Sequence, residues 1–205
     1  MKPELDLRTN DFIVLFNTLW YRDFPMTATM LHINSRALWT THIANTVKRC
    51  ADLMGLFTRY ETGSRTDAVI TDAADTEWAR IEWEWAQAWL NTVNELDKLA
   101  STKNLAPVSI FINYSRTDEA THREQNLERI RSVWKDLERP LLAFLITFNR
   151  PDSKRKGMKS SKRTFEDLET HIVSQGESWL LRSQPALPWE VPDTRWSARV
   201  QANHG

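Results

Sequence analysis

One cysteine, Cys50, stands in the whole chain. A lone thiol closes no intramolecular disulfide and cannot build a zinc finger. Glycine is scarce too, at five residues, which argues against a Gly-rich phosphate cradle. No Walker, dinucleotide-binding or Gly-x-Ser-x-Gly pattern occurs. No apolar run reaches the roughly 18 residues of a membrane span. The opening MKPELDLRTND lacks the apolar stretch of a secretion signal. These absences together predict a cytoplasmic domain without membrane contact. Charge of neither sign is in excess: 27 basic and 27 acidic residues cancel. A strong global pull on nucleic acid is therefore excluded, though a local patch is not.

What is present is a foldable chain. Its 205 residues suit one domain burying about 70% of its unfolded surface. A hydrophobic share of 41% excludes disorder throughout. Ten tryptophans are many for this size. Residues 1–183 read as a single α/β domain with a core over about 35–148. A basic segment spans 150–163, and residues 184–205 form a Pro-rich, irregular tail.

The periodicity predicts a helix over 10–22 and another over 35–54. In the second, Trp39, Ile43, Val47, Cys50 and Met54 recur at helical spacing and Gly55 is the stop. Strands are predicted at 56–61, 66–71 and 107–114. A helix over 121–138 ends before Pro140. LLAFLITF (141–148) has the unbroken apolar pattern of a strand buried on both faces. A last helix is predicted over 164–182, with Phe165, Leu168, Ile172 and Trp179 in phase. Interleaved helices and strands imply a sheet covered on both faces. Residues 78–99 fit either one long helix or a strand followed by a helix. Trp83 lies off the helical stripe but in phase with a strand, which favours a strand over 78–85 and a helix over about 88–100. One continuous helix would instead make this a mostly helical interaction protein.

Pairing 67–71 with 78–85 across the link 72–77 sets Thr71 opposite Trp78 and Asp67 opposite Glu82. Glu84 follows on the same face, opposite Arg65. Directly opposed side chains lie about 5 Å apart at Cβ, and like charges there are destabilising. A hard divalent cation offsets that repulsion: Mg²⁺ takes one or two carboxylates, with water completing its shell. The competing reading is a solvated face, with Arg65 pairing Glu84. Glu61 reads as a solvated strand-end residue and His42 as a core histidine. Cys50 reads as a small apolar side chain.

The spacing of Asp67 before an apolar-flanked Glu82-Trp83-Glu84 resembles the PD-(D/E)xK nuclease superfamily, the restriction-endonuclease-like fold. The resemblance covers residues 35 to about 148. It implies a Mg²⁺- or Mn²⁺-dependent nuclease hydrolysing phosphodiester bonds in DNA, with Asp67, Glu82 and Glu84 as metal and catalytic residues. Thr66 replaces the family's proline, and Glu84 stands where that family usually has lysine. Lys98 is then a displaced catalytic cation. Lys154, Arg155, Lys156, Lys159, Lys162 and Arg163, in a run with only Asp152 against them, suit phosphate contacts. The alternative of the same fold is a non-catalytic nucleic-acid-binding or assembly module, with a homodimer among the arrangements open to it.

Overall fold

Seven strands hydrogen-bond in the order in which they occur along the chain. The structure is a computed structural model, and it describes residues 2–25, 36–62, 66–101, 103–117, 120–149, 164–195 and 197. The elements are α1 (Leu7–Arg22), α2 (Arg36–Leu53), β1 (Phe57–Thr62), β2 (Thr66–Thr71), β3 (Glu77–Glu84), α3 (Glu95–Ala100), β4 (Val108–Arg116), α4 (Ala120–Trp134), β5 (Leu141–Asn149), β6 (Thr164–Ser174) and β7 (Glu177–Pro185). A short 3₁₀ turn, Pro188–Glu190, follows. β3, β4 and β5 run parallel, and every other neighbouring pair is antiparallel. Parallel neighbours need crossovers. The crossovers here carry α3 and α4.

Helices cover both faces, as the predicted α/β class requires. On one face α1 and α2 pack against Ala68, Ile70, Ala79, Ile81, Ile112 and Phe144. Asp6 caps α1, accepting from the backbone N–H of Thr9 at 2.9 Å. Phe12, Phe16 and Trp20 then recur every fourth residue, so one stripe meets the sheet, all three fully buried. Phe16 lies 4.2 Å from Phe144, ring centre to centre. Burial of each such side chain contributes about 1.5–3 kcal/mol. On the other face Leu96, Leu99, Leu127, Ile130 and Trp134 cover Phe111, Ala143 and Leu145. β5 is buried on both sides from Leu141 to Phe148, as its sequence predicts.

α1 is also tied to the far end of the chain. Asn17 Nδ2 donates to Thr170 Oγ1 at 3.0 Å, and Gln184 Nε2 donates to the Asn17 carbonyl at 3.0 Å. Trp20 Nε1 donates to the Ala186 carbonyl at 2.8 Å. Beyond β7, Ala186 and Leu187 are buried, and Trp189 meets Phe24 edge-on at 5.6 Å.

Two expected elements differ. The helix predicted over 164–182 is the β6–β7 hairpin. Its turn, Gln175-Gly176, has φ of 49° and 76°, the backbone that a tight hairpin needs. The misleading period has a structural cause. The β5–β6 register shifts between Ile146 and Phe148, so Phe165 pairs Phe148 while Leu168 pairs Ile146. That irregularity puts Phe165, Leu168 and Ile172 on one face with helix-like gaps of three and four. The helix predicted over 88–100 shrinks to Glu95–Ala100, because residues 85–94 are spent on turns. The basic run, with Lys154, Arg155, Lys156, Lys159, Lys162 and Arg163, lies outside the described residues, as does Arg65. Among the described residues no helix is long and apolar enough to cross a membrane.

Candidate functional site

The β2–β3 register pairs Ala68 with Ile81, Val69 with Arg80 and Ile70 with Ala79. Continued by one residue, it sets Asp67 across from Glu82, as the sequence predicts. The shift falls at the other end, where a bulge puts Thr71 opposite Glu77 instead of Trp78. Asp67 Oδ2 accepts from the backbone N–H of Trp83 at 2.8 Å. That bond fixes the carboxyl at the strand edge, beside Glu82.

Glu82 is 0% exposed. It neighbours Phe111 on β4 and lies under α3. Its Oε2 meets Lys98 Nζ at 3.4 Å, while its Oε1 has no hydrogen-bond partner. Lys98 also approaches Glu95 at 3.7 Å. Burial, and then the charge of Asp67, push the Glu82 carboxyl up to about 8, against the pull of Lys98. Burial raises Asp67 as well, opposed by the Trp83 N–H and by Lys98. Burial lowers Lys98, but the Glu82 and Glu95 carboxylates outweigh it and the net shift is upward. Two carboxyl groups within hydrogen-bonding reach cannot both ionise cheaply, so the pair holds one proton near neutral pH.

Glu84 faces elsewhere. Its Oε1 accepts from the Ala86 N–H at 2.7 Å and lies 3.6 Å from Arg36. Asn113 of β4 pins the same chain segment, donating to the Glu84 and Ala86 carbonyls at 2.9 and 2.8 Å. β3 therefore ends abruptly, and a cleft opens at the carboxyl ends of the parallel strands β3 and β4, where α/β sheets commonly bind ligands. Its volume is about 290 Å³. Arg36, Thr40, Ile43, Asp67, Trp83, Glu84, Trp85, Glu95 and Tyr114 line it.

The structure thus brings Asp67, Glu82 and Lys98 together, sets Glu84 beside them with its carboxylate turned to the Ala86 N–H and Arg36, and adds Arg36, Glu95, Asn113 and Tyr114, which sequence reasoning missed. Glu95 had a visible signal, three residues before Lys98 on a helix. Arg36 and Tyr114 had none, since only the tertiary fold carries them to the cleft. Glu61 is exposed, with φ of 52°. His42 is in the core, where burial holds it down at about 4. Cys50 is fully buried, and burial pushes its thiol up. It is no nucleophile for this site. Among the described residues, no three or more His, Cys, Asp or Glu side chains are grouped to hold a metal ion.

No family model matches the chain, and no curated protein does. Among solved structures it is similar to a carbon-nitrogen hydrolase from Helicobacter pylori G27, at 9% identity and a TM-score of 0.42. The match covers 88% of this chain and 82% of that one. A likeness this distant assigns no activity here. The expected PD-(D/E)xK membership, the restriction-endonuclease-like fold and the DNA phosphodiesterase activity are nevertheless corrected: the structural comparison returns a carbon-nitrogen hydrolase, with no family match behind the nuclease reading. The physical source of the error is plain. An acidic residue opposite a Glu-x-Glu on a hairpin is a short pattern, and any mixed sheet that begins with an antiparallel hairpin can hold it.

Proposed function

We propose that this chain is a hydrolase that adds water directly to the carbonyl carbon of an amide-type bond. Asp67 is its general base and acid, and Glu82 and Lys98 are positioning residues. The observation that supports this is a wholly buried Glu82 set against Asp67 at the edge of an open cleft. The carboxyl pair, not the distant structural likeness, is the ground for the reading.

Two carboxyls that share a proton present one acid and one base together, the pattern of the aspartic proteases. Asp67 lines the cleft and Glu82 lies behind it. Ionised Asp67 takes a proton from water as the oxygen–carbon bond forms, and the carbonyl oxygen takes up the displaced electron pair. That oxygen then re-forms the carbonyl as the carbon–nitrogen bond breaks, the bond's electron pair leaves on nitrogen, and Asp67 returns its proton to that nitrogen. An amine leaves poorly unless protonated, which suits a site that retains its proton near neutral pH. Glu82 holds the shared proton against Asp67, and Lys98 balances the remaining charge.

The test is amine release, read with an amine-reactive fluorophore, from a panel of simple amides and dipeptides on metal-stripped protein. Asp67→Asn should lower the rate about 10²–10⁴-fold. Glu82→Gln should shift the alkaline limb of the pH profile. Unchanged turnover in Asp67→Asn would refute the assignment.

A second reading has one observation behind it, the unpartnered Glu82 Oε1. Mg²⁺ or Mn²⁺ held by Asp67 and Glu82 would replace the shared proton, since such ions accept one or two carboxylates plus water. Bound there, the ion would lower the pKa of a water. Melting temperature with added Mn²⁺ separates the readings. A rise that Asp67→Asn abolishes favours the cation.

A further inference from the structure

The charges around the cleft do not cancel. Four carboxyls, those of Asp67, Glu82, Glu84 and Glu95, gather at the cleft or directly behind it. Against these stand Lys98, between Glu82 and Glu95, and Arg36, at Glu84. Two cations thus face four carboxyls, at a cleft walled by Trp83, Trp85 and Tyr114. Aromatic faces and carboxylates together favour a cation.

Two further observations narrow the ligand. Tyr114 is only 2% exposed, and its hydroxyl has no hydrogen-bond partner. A buried polar group of this kind is costly unless something meets it. The chain also places a guanidinium of its own at the mouth. The Arg36 side chain is 70% exposed and reaches Glu84 only loosely, at 3.6 Å. A hydrogen bond to a charged group is normally under about 3 Å. Arg36 is therefore a weakly held occupant, which a better-placed donor of the same chemistry can displace.

We propose that the cleft selects a guanidinium-bearing ligand, seated between Glu84 and the aromatic walls with Arg36 as its internal competitor. This rests on the reading that the cleft is the substrate site, and it names the substituent that the hydrolysed molecule carries. A planar fork of N–H donors matches a carboxylate two bonds at a time, and Tyr114, in the same cleft wall, offers a buried hydroxyl with no partner of its own.

The test is an NMR titration of the full chain at about pH 6.5, following the indole N–H signals of Trp83 and Trp85. Methylguanidinium is the probe and methylurea its neutral isostere. Methylguanidinium should bind about tenfold tighter or better, the range of one charged hydrogen bond. Glu84→Gln should remove that preference, and Arg36→Ala should tighten methylguanidinium binding several-fold. Equal affinity for the two probes overturns the proposal, as does weaker binding in Arg36→Ala. Binding is read here on the unaltered chain and needs no turnover. Failure of the hydrolytic reading, seen as absent turnover, is thereby separate from failure of this one, seen as absent binding.

Discussion

Replacing Glu82 by Gln should make this protein more stable, and only on the alkaline side. The buried carboxyl has moved from its ordinary 4.5 to about 8, so the folded state holds that proton more tightly than the unfolded chain does. Stability is then complete below about 4.5 and falls as pH rises towards 8. A tenfold change in proton affinity is worth about 1.4 kcal/mol, which sets a ceiling of about 5 kcal/mol on the loss. Movement of Lys98, which is 37% exposed, and sharing of the proton with Asp67 reduce this to about 2–3 kcal/mol. That is a large part of a typical stability of about 5–15 kcal/mol. His42 runs the other way. Burial holds it at about 4 rather than 6.5, so its contribution is complete above 6.5 and is lost as pH falls towards 4. Between about 4.5 and 6.5 the two slopes oppose each other, so the wild-type curve should be nearly flat there, falling above 6.5 and below 4.5. Urea unfolding followed by tryptophan fluorescence, from about pH 5 to about pH 9, reads this directly. Glu82→Gln should flatten the alkaline fall and uncover the His42 fall below about 6.5. Parallel curves for the two proteins would refute the buried proton, and with it the acid–base reading of the site.

Two further outcomes follow from packing and hydrogen bonds. Gly176→Ala should cost about 1–2 kcal/mol, measured by the same unfolding, because φ is +76° and the added Cβ would lie 3.3 Å from Lys135 Cβ. Asn126→Ala should cost about 2–4 kcal/mol. It strips the fully buried Gln87 and Ser115 contacts, each 2.9 Å long, and the acceptor for the Trp89 N–H at 3.3 Å.

The layered α/β class was legible because each segment's period agreed with its place. Phe12, Phe16 and Trp20, the Trp39–Cys50 stripe and LLAFLITF each carry one signal and no rival. The Asp67–Glu82 juxtaposition was legible for the same reason: alternation in WARIEWE fixes which residues share a face. The β6–β7 hairpin was not, because a register shift gave a strand the gaps of a helix. The extent of α3 was hidden by Trp85 and Trp89, which continue a helical stripe but sit in turns, where Trp85 packs on Tyr114 at 4.3 Å and Trp89 stacks on His122 at 5.8 Å. Arg36 and Glu84 were illegible as partners, being 48 residues apart, since no local rule joins them.

The bonds from Asn17, Trp20 and Tyr21 to Thr170, Gln184, Pro185 and Ala186 span 153 to 167 residues. A ribosome adds about 5–20 residues each second. The first helix therefore leaves the exit tunnel roughly 8–30 s before the hairpin that holds it. During that interval Asn17 and the Trp20 indole N–H lack their final acceptors, and the Phe12–Phe16–Trp20 stripe has no completed sheet to lie on. The nascent chain is then a ready client for a chaperone that grips aromatic segments. Loss of Gln184–Ala186 would loosen α1, a helix made long before them.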